Sequence, residues 1–185
     1  MRVTTRGMAY LAFLTALGVV LTRFASIRIV VMGVEGIRVG FGGFPIIFAG
    51  LLFGPAAGGI VGALTDIIGY ILSPVAGPYM PHFTFTAALT GILPALIVRL
   101  VRRRGEKPGF LLLTLAVLGG QLVTSLLLVP YFLHTLFGLP YQVILVPRFF
   151  TVAIEVPLYA GIAHLLLRRL EPFFEKLQLS YQWVR

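Results

Sequence analysis

The sequence predicts an all-α integral membrane protein: a compact bundle of six transmembrane helices, N-in and C-in, with outer-side loops capping a cavity. Three observations predict it. Of 185 residues, 58% are hydrophobic and 11% charged, against about 25% charged in a soluble domain, and mean hydropathy is +0.99. Apolar segments recur from residue 8 to residue 168 and leave no connection able to bury a separate aqueous core, so one transmembrane domain over residues 1–185 is expected. The basic residues, finally, divide unevenly between the two sides of that plan, as the cytoplasmic ends of membrane helices require.

Spanning the hydrocarbon takes roughly 20 helical residues, and six segments meet or approach that length: 8–25, 39–53, 55–72, 83–101, 110–136 and 144–168. The first follows a basic start, as a secretory signal does. Arg23 interrupts its end, however, and no small-x-small cleavage site follows, which predicts a retained helix. It carries Ala12 and Ala16, a small-xxx-small pair that lets another helix come close. The second segment is short, and Gly54-Pro55 turns it tightly into the third. A helix that short either stops before crossing or continues as irregular backbone, which a membrane tolerates only under cover of protein or a cavity. In the third, Gly54, Gly58 and Gly62 recur every fourth residue, a stripe for close packing that runs on to Asp66, Gly69 and Tyr70. The sixth begins near Pro147.

Two outer connections stand out, 26–38 and 73–82. The second, SPVAGPYMPH, mixes proline, glycine and aromatic residues, a composition that suits either a shaped loop over a ligand or a plain join between helices. With both termini inside, the inner side holds Arg2, Arg6, Arg99, Arg102, Arg103, Arg104, Lys107, Arg168, Arg169, Lys176 and Arg185, leaving Arg23, Arg28, Arg38 and Arg148 outside. The net charge of +9 therefore reads as contact with anionic lipid of the bilayer, not with nucleic acid.

The absences narrow the chemistry. There is no cysteine, hence no disulfide, thiolate metal site or cysteine nucleophile. His82, His134 and His164 lack metal-ligand spacing, so neither metal nor cofactor is expected. No GxxxxGK[ST] loop exists to bind ATP phosphates, and no serine sits in a GxSxG elbow. These absences leave an enzyme reading with little support.

The charges that remain converge. Asp66 lies about 11 residues from the inner end of its helix, roughly 16 Å along the axis, in the outer half. A carboxylate at helix centre costs approximately 2.5–3.5 kcal/mol to insert. Asp66 thus either accepts hydrogen bonds from hydroxyls, pairs with an arginine, or recognises donors on a polar ligand. Arg148 and Glu155 are seven residues apart, on one face of the sixth helix, too far apart to pair directly without bending. With Arg38 they place four charges in the outer half of the bundle. Tyr70, Tyr79, His82, Phe83, Tyr131 and His134 fall at the same level, as ligand-stacking walls or as an interfacial aromatic belt.

The run RVGFGGFPIIFAGLLFGPAAGGIVGALTDIIGY, residues 38–70, followed by GPYMPHFTFTAALTGILPALI, residues 77–97, resembles the folate-family S components of energy-coupling factor (ECF) transporters. The resemblance covers most of the chain and includes the alanine pair. It implies a substrate-binding subunit in a prokaryotic cell membrane that captures a vitamin from outside under a lid of outer loops. It also implies docking, with Ala12 and Ala16 as contact points, on a transmembrane coupling (T) subunit with two ATPase subunits that hydrolyse ATP, and toppling in the membrane to release the cargo. Folate makes clear demands: the pterin suits a carboxylate and aromatic walls, and the glutamate tail calls for arginine. Charge matching assigns Asp66 or Glu155 to the pterin and Arg38 or Arg148 to the tail. Two positions depart from the family pattern, Val129-Pro130, where an Asn-Thr pair is usual, and Glu155. They leave open the same scaffold with another vitamin or precursor (pantothenate, thiamine, riboflavin, a queuosine precursor); a membrane scaffold or enzyme is more remote.

Overall fold

The computed structural model describes residues 5–24, 26–31, 34–72, 79–102 and 108–176, without the side chains of residue 6, residues 23–39 and residues 171–176. The side chain of Arg38, the loop over 73–78 and the inner-side residues Arg2, Arg103, Arg104, Lys107 and Arg185 lie outside the described residues.

Helix α1 spans Thr5–Phe24. The connection that follows, read from sequence as an outer loop over 26–38, is an antiparallel hairpin of β1 (Ser26–Val31) and β2 (Val34–Gly40), in register Ser26 to Gly40 and Arg28 to Arg38. The strands SIRIVV and VEGIRVG are rich in β-branched residues, which favour pleated backbone. The pairing is irregular between Ile29 and Val30. This hairpin is the one departure from an otherwise helical architecture among the described residues, and it takes up the residues 39–40 that were assigned to the second helix.

Helix α2 (Gly43–Phe53) has 11 residues, about 16 Å at 1.5 Å per residue. It does not meet lipid: every residue from Phe44 to Leu52 is buried, as suits a segment apolar on all sides. The short helix is the core of the molecule, and the longer helices wrap it. It ends at Gly54, whose φ of 101° is open to glycine at little steric cost, and Pro55 then starts α3 (Pro55–Leu72).

Helix α3 shows how the bundle is sorted. Its outward stripe, Ile60, Leu64, Ile68 and Ile71, is exposed and apolar, while Ala57, Gly58, Val61, Gly62, Thr65 and Gly69 face inward and are buried. Small residues point in because the backbones nearly touch. A Cβ on Gly58 would lie 2.6 Å from the Gly91 carbonyl oxygen of α4 (Pro81–Val101) and 2.7 Å from Gly50 Cα of α2. The glycine stripe read from the sequence is thus the seam on which α2, α3 and α4 meet.

The next span, Phe110–Phe137, is not uniform. It runs as α5 (Phe110–Gln121), a π-helical turn over Leu122–Leu128, and α6 (Val129–Phe137). Pro130 has no N–H to return to Leu126, and the ladder widens just before it: the Val129 N–H reaches back five residues to Thr124 O. Helix α7 (Tyr141–Lys176) closes the bundle, starting earlier and running further than the predicted 144–168. Among the described residues, four spans are long and apolar enough to cross a membrane, Pro55–Leu72, Pro81–Val101, Phe110–Phe137 and Tyr141–Leu170, beside the shorter apolar stretches Gly7–Thr22 and Gly43–Phe53. The core joins Ile47 and Leu51 of α2 to Val61, Val98, Leu113, Val117, Tyr159 and Ala163, all 1% exposed or less.

Candidate functional site

Because α2 is short, the longer helices enclose a space at its N-terminal end. It is a cavity of about 530 Å³, within the roughly 300–1,000 Å³ of small-molecule sites. Every helix contributes: Thr22 from α1, Gly43 and Ile46 from α2, Thr65, Asp66 and Gly69 from α3, Ala87 and Thr90 from α4. Gln121 and Ser125 come from the α5 end and the π turn, Leu133 and Phe137 from α6, and Arg148, Thr151, Val152, Glu155 and Tyr159 from α7, with Gly40 at the end of β2.

Three of the four predicted charges are here, namely Asp66, Arg148 and Glu155. The fourth, Arg38, is two residues before Gly40, with its side chain outside the described residues. Asp66 sits on the inward face of α3 and accepts a hydrogen bond at Oδ2 from Thr84 Oγ1, 2.6 Å away. Thr84 has one hydroxyl proton and spends it there, so the Tyr79 hydroxyl, 2.6 Å from Thr84 Oγ1, donates to Thr84. This Tyr79–Thr84–Asp66 relay fixes one carboxylate oxygen from α4 and the segment before it. A carboxylate has about four acceptor positions, and Asp66 keeps capacity on its cavity side.

Glu155, 9% exposed, is differently engaged. Its Oε1 accepts from the Gly40 backbone N–H at 3.1 Å and its Oε2 from Gln121 Nε2 at 3.4 Å. The Gln121 carbonyl oxygen accepts in turn from Ser125 Oγ at 2.5 Å. One turn along α7, the Tyr159 hydroxyl donates to the Gly40 carbonyl. Glu155 and Tyr159 thus hold both peptide groups of one residue, and through it the end of the hairpin and the entrance to α2. Arg148 lies two turns from Glu155 on the same helix face, roughly 10 Å along the axis.

The aromatic residues read as ligand walls or as an interfacial belt lie elsewhere. Tyr70, Tyr79, His82, Phe83, Tyr131 and His134 are not among the cavity-lining residues. They pack on one another and their neighbours: Tyr70 on Tyr79 with ring centroids 5.3 Å apart, His82 on Phe132 at 5.0 Å, Phe83 and Tyr131 edge-on to Phe132, and His134 stacked on Tyr141 at 4.3 Å. Tyr79, His82, Tyr131 and His134 are exposed, as residues at a membrane–water boundary are. Of the cavity's own rings, Tyr159 and Phe137 are the ones that line it. Ala12 and Ala16 fall on an exposed face of α1, away from the bundle interior.

Sequence reasoning missed Gln121, Ser125, Thr65 and Tyr159. Gln121 and Ser125 had a signal, an amide and a hydroxyl one turn apart inside the apolar run LAVLGGQLVTSLLLV, since uncompensated polar groups in a span mark function or pairing. Tyr159 follows Glu155 by one helical turn and was legible as its companion. Among the described residues, no group of three or more histidine, aspartate or glutamate side chains is placed to hold a metal.

The family model described as "ECF-type riboflavin transporter, S component" matches residues 2–172. The chain is 33% identical over 153 residues to the folate transporter FolT of Clostridium novyi (strain NT), an alignment covering 83% of each. Its fold is similar to the crystal structure of a FolT bound with folic acid, with a TM-score of 0.70 and 27% identity over 89% of this chain and 93% of that one. It is also similar to the S component of a bacterial ECF transporter, with a TM-score of 0.66 and 24% identity over 90% and 96% of the two chains.

Proposed function

The chain belongs to the S-component family of ECF-type transporters, and from that membership we propose that its cavity binds folate and that it delivers this cargo to a separate energising module. The observation that carries the substrate is a carboxylate, Asp66, and a cation, Arg148, set into the wall of one cavity of about 530 Å³. A pterin presents adjacent N–H donors that a carboxylate accepts as charge-assisted hydrogen bonds, and a glutamate tail presents carboxylates that a guanidinium binds in the same way. Asp66 therefore takes the pterin edge, and Arg148, with Arg38 at the end of the hairpin, takes the tail. Glu155 is occupied by Gly40 and Gln121 and braces the site instead of reading the ligand. Two relatives support this reading, one a folate transporter and one a FolT holding folic acid.

A second reading has its own support, since the matching family is described by riboflavin. Riboflavin carries no carboxylate and so brings no anion to Arg148. Calorimetric titration of the purified chain in lipid nanodiscs separates the two. Saturable one-to-one binding of folic acid is expected, and binding of riboflavin with none of folic acid would overturn the substrate.

The rest of the proposal follows the family. The chain is a single membrane domain with both termini cytoplasmic in a prokaryotic plasma membrane. It binds without a cofactor and without catalysis, and it docks through the Ala12 and Ala16 face of α1 on a T subunit whose two ATPase partners hydrolyse ATP.

A further inference from the structure

The threonines of α4 use their hydroxyls in two ways. Thr86 and Thr90 each donate to the carbonyl four residues earlier, at 2.9 and 3.0 Å, the usual use of such a residue inside a helix. Thr84 stands in the first turn, where the carbonyl four residues back belongs to Met80, outside the helix, and accepts the Phe83 N–H. Its hydroxyl leaves α4 and donates across to Asp66 Oδ2 on α3, 18 residues earlier in the chain.

Thr84 is braced in its turn. The Tyr79 hydroxyl donates to it, and the Tyr79 ring packs at 5.3 Å on Tyr70, which follows Asp66 by one turn on α3. The contacts close a circuit, from Asp66 to Thr84, to Tyr79, to Tyr70 and back along α3. Of these four residues, Asp66 alone lines the cavity, and it is half-buried there. Immobilising a side chain on binding costs affinity, and a side chain fixed beforehand is spared that cost. A carboxylate held at one oxygen by a charge-assisted bond presents its remaining acceptor positions in one orientation.

We propose that Thr84 is a positioning residue for ligand capture: outside the cavity wall itself, it holds Asp66 Oδ2 so that the carboxylate is already set for the N–H groups of the bound ring before the ligand arrives. This rests on the reading of the cavity as the vitamin site, with Asp66 at the ring, and deepens it. Thr84 adds no contact to the cargo. It sets how firmly Asp66 makes its own, and its whole effect on binding therefore passes through one carboxylate.

The test is a double-mutant cycle on the purified chain in nanodiscs, titrated with folic acid: parent, Thr84→Val, Asp66→Ala and the two together, with Thr84→Ser as the variant that keeps the hydroxyl. Thr84→Val is expected to weaken folic acid roughly 3- to 20-fold in the parent, and by less than about 2-fold once residue 66 is alanine, because no carboxylate is then left to hold. Thr84→Ser is expected to stay within about 3-fold of the parent. A Thr84→Val loss of the same size in both backgrounds would overturn the proposal, since Thr84 would then act through the packing of α4 and not through Asp66. So would unchanged affinity in Thr84→Val, a serine variant as weak as the valine variant, or a valine variant that does not fold. If the parent binds riboflavin and not folic acid, the substrate reading fails by itself, and the same cycle run with riboflavin decides Thr84.

Discussion

Gly40 has no side chain to hold, so α7 holds its peptide groups instead. Glu155 accepts its N–H and Tyr159 donates to its carbonyl, and the two contacts lie one helical turn apart on a rigid element. The buried Glu155 carboxylate is in turn satisfied by Gly40 and by Gln121, which is what a charge in a low-dielectric interior requires. Removing one neutral hydrogen bond of this kind costs about 0.5–1.5 kcal/mol. Tyr159→Phe keeps the ring in the core and deletes only the donor, so it is expected to speed folic acid release by roughly 3- to 10-fold while leaving the preference for folic acid over riboflavin intact. Stopped-flow measurement of the release rate checks this. An unchanged rate would mean that the clamp does not retain the ligand.

Among the elements, α1 carries an exposed face that combines small and large apolar residues. Ala12 and Ala16 are exposed beside Phe13, at 62%, and Val20, at 49%. A helix that packs tightly needs such small positions, and inside the monomer these two touch no neighbour closely enough to bury them. Ala12→Leu with Ala16→Leu is expected to abolish folate uptake by cells carrying the whole transporter while folic acid affinity of the purified chain stays within about 2-fold, since neither residue lines the cavity. Uptake and filter-binding assays on the same variant check it; normal uptake would remove α1 from the docking surface. Elements were unequally legible in the sequence. The buried α2 showed itself by its length and the α3 seam by its glycine spacing, because both follow from local pattern. The hairpin did not, because a six-residue run such as SIRIVV between helices looks like a loop until a partner strand is known. The π turn did not either, because Pro130 announces a disturbance without saying whether the helix kinks, breaks or widens.

Across the whole molecule, three of the four charges were legible as one group, while the aromatics stayed open between ligand walls and an interfacial belt. Asp66, Arg148 and Glu155 meet at one cavity because each is too costly to face lipid, and helical spacing alone places them on inward faces. The aromatic residues at the same height carry no such constraint, since an interfacial ring is at ease facing water, lipid or ligand, and six of them pack outside the cavity walls. Glu155 differs from Asp66 for a reason no spacing reveals: its partners, Gly40 and Gln121, come from 115 and 34 residues away. The account as a whole rests on one orientation of the cargo across the bundle, ring at Asp66 on α3 and tail at Arg148 on α7. Calorimetric titration with folic acid and with pteroic acid, which lacks the glutamate tail, tests it on the parent, Asp66→Asn and Arg148→Ala. The account predicts that Asp66→Asn weakens both ligands by about 1.5–3 kcal/mol, while Arg148→Ala weakens folic acid by a similar amount and leaves pteroic acid unchanged. Equal losses of both ligands in Arg148→Ala, or full affinity in Asp66→Asn, would contradict it.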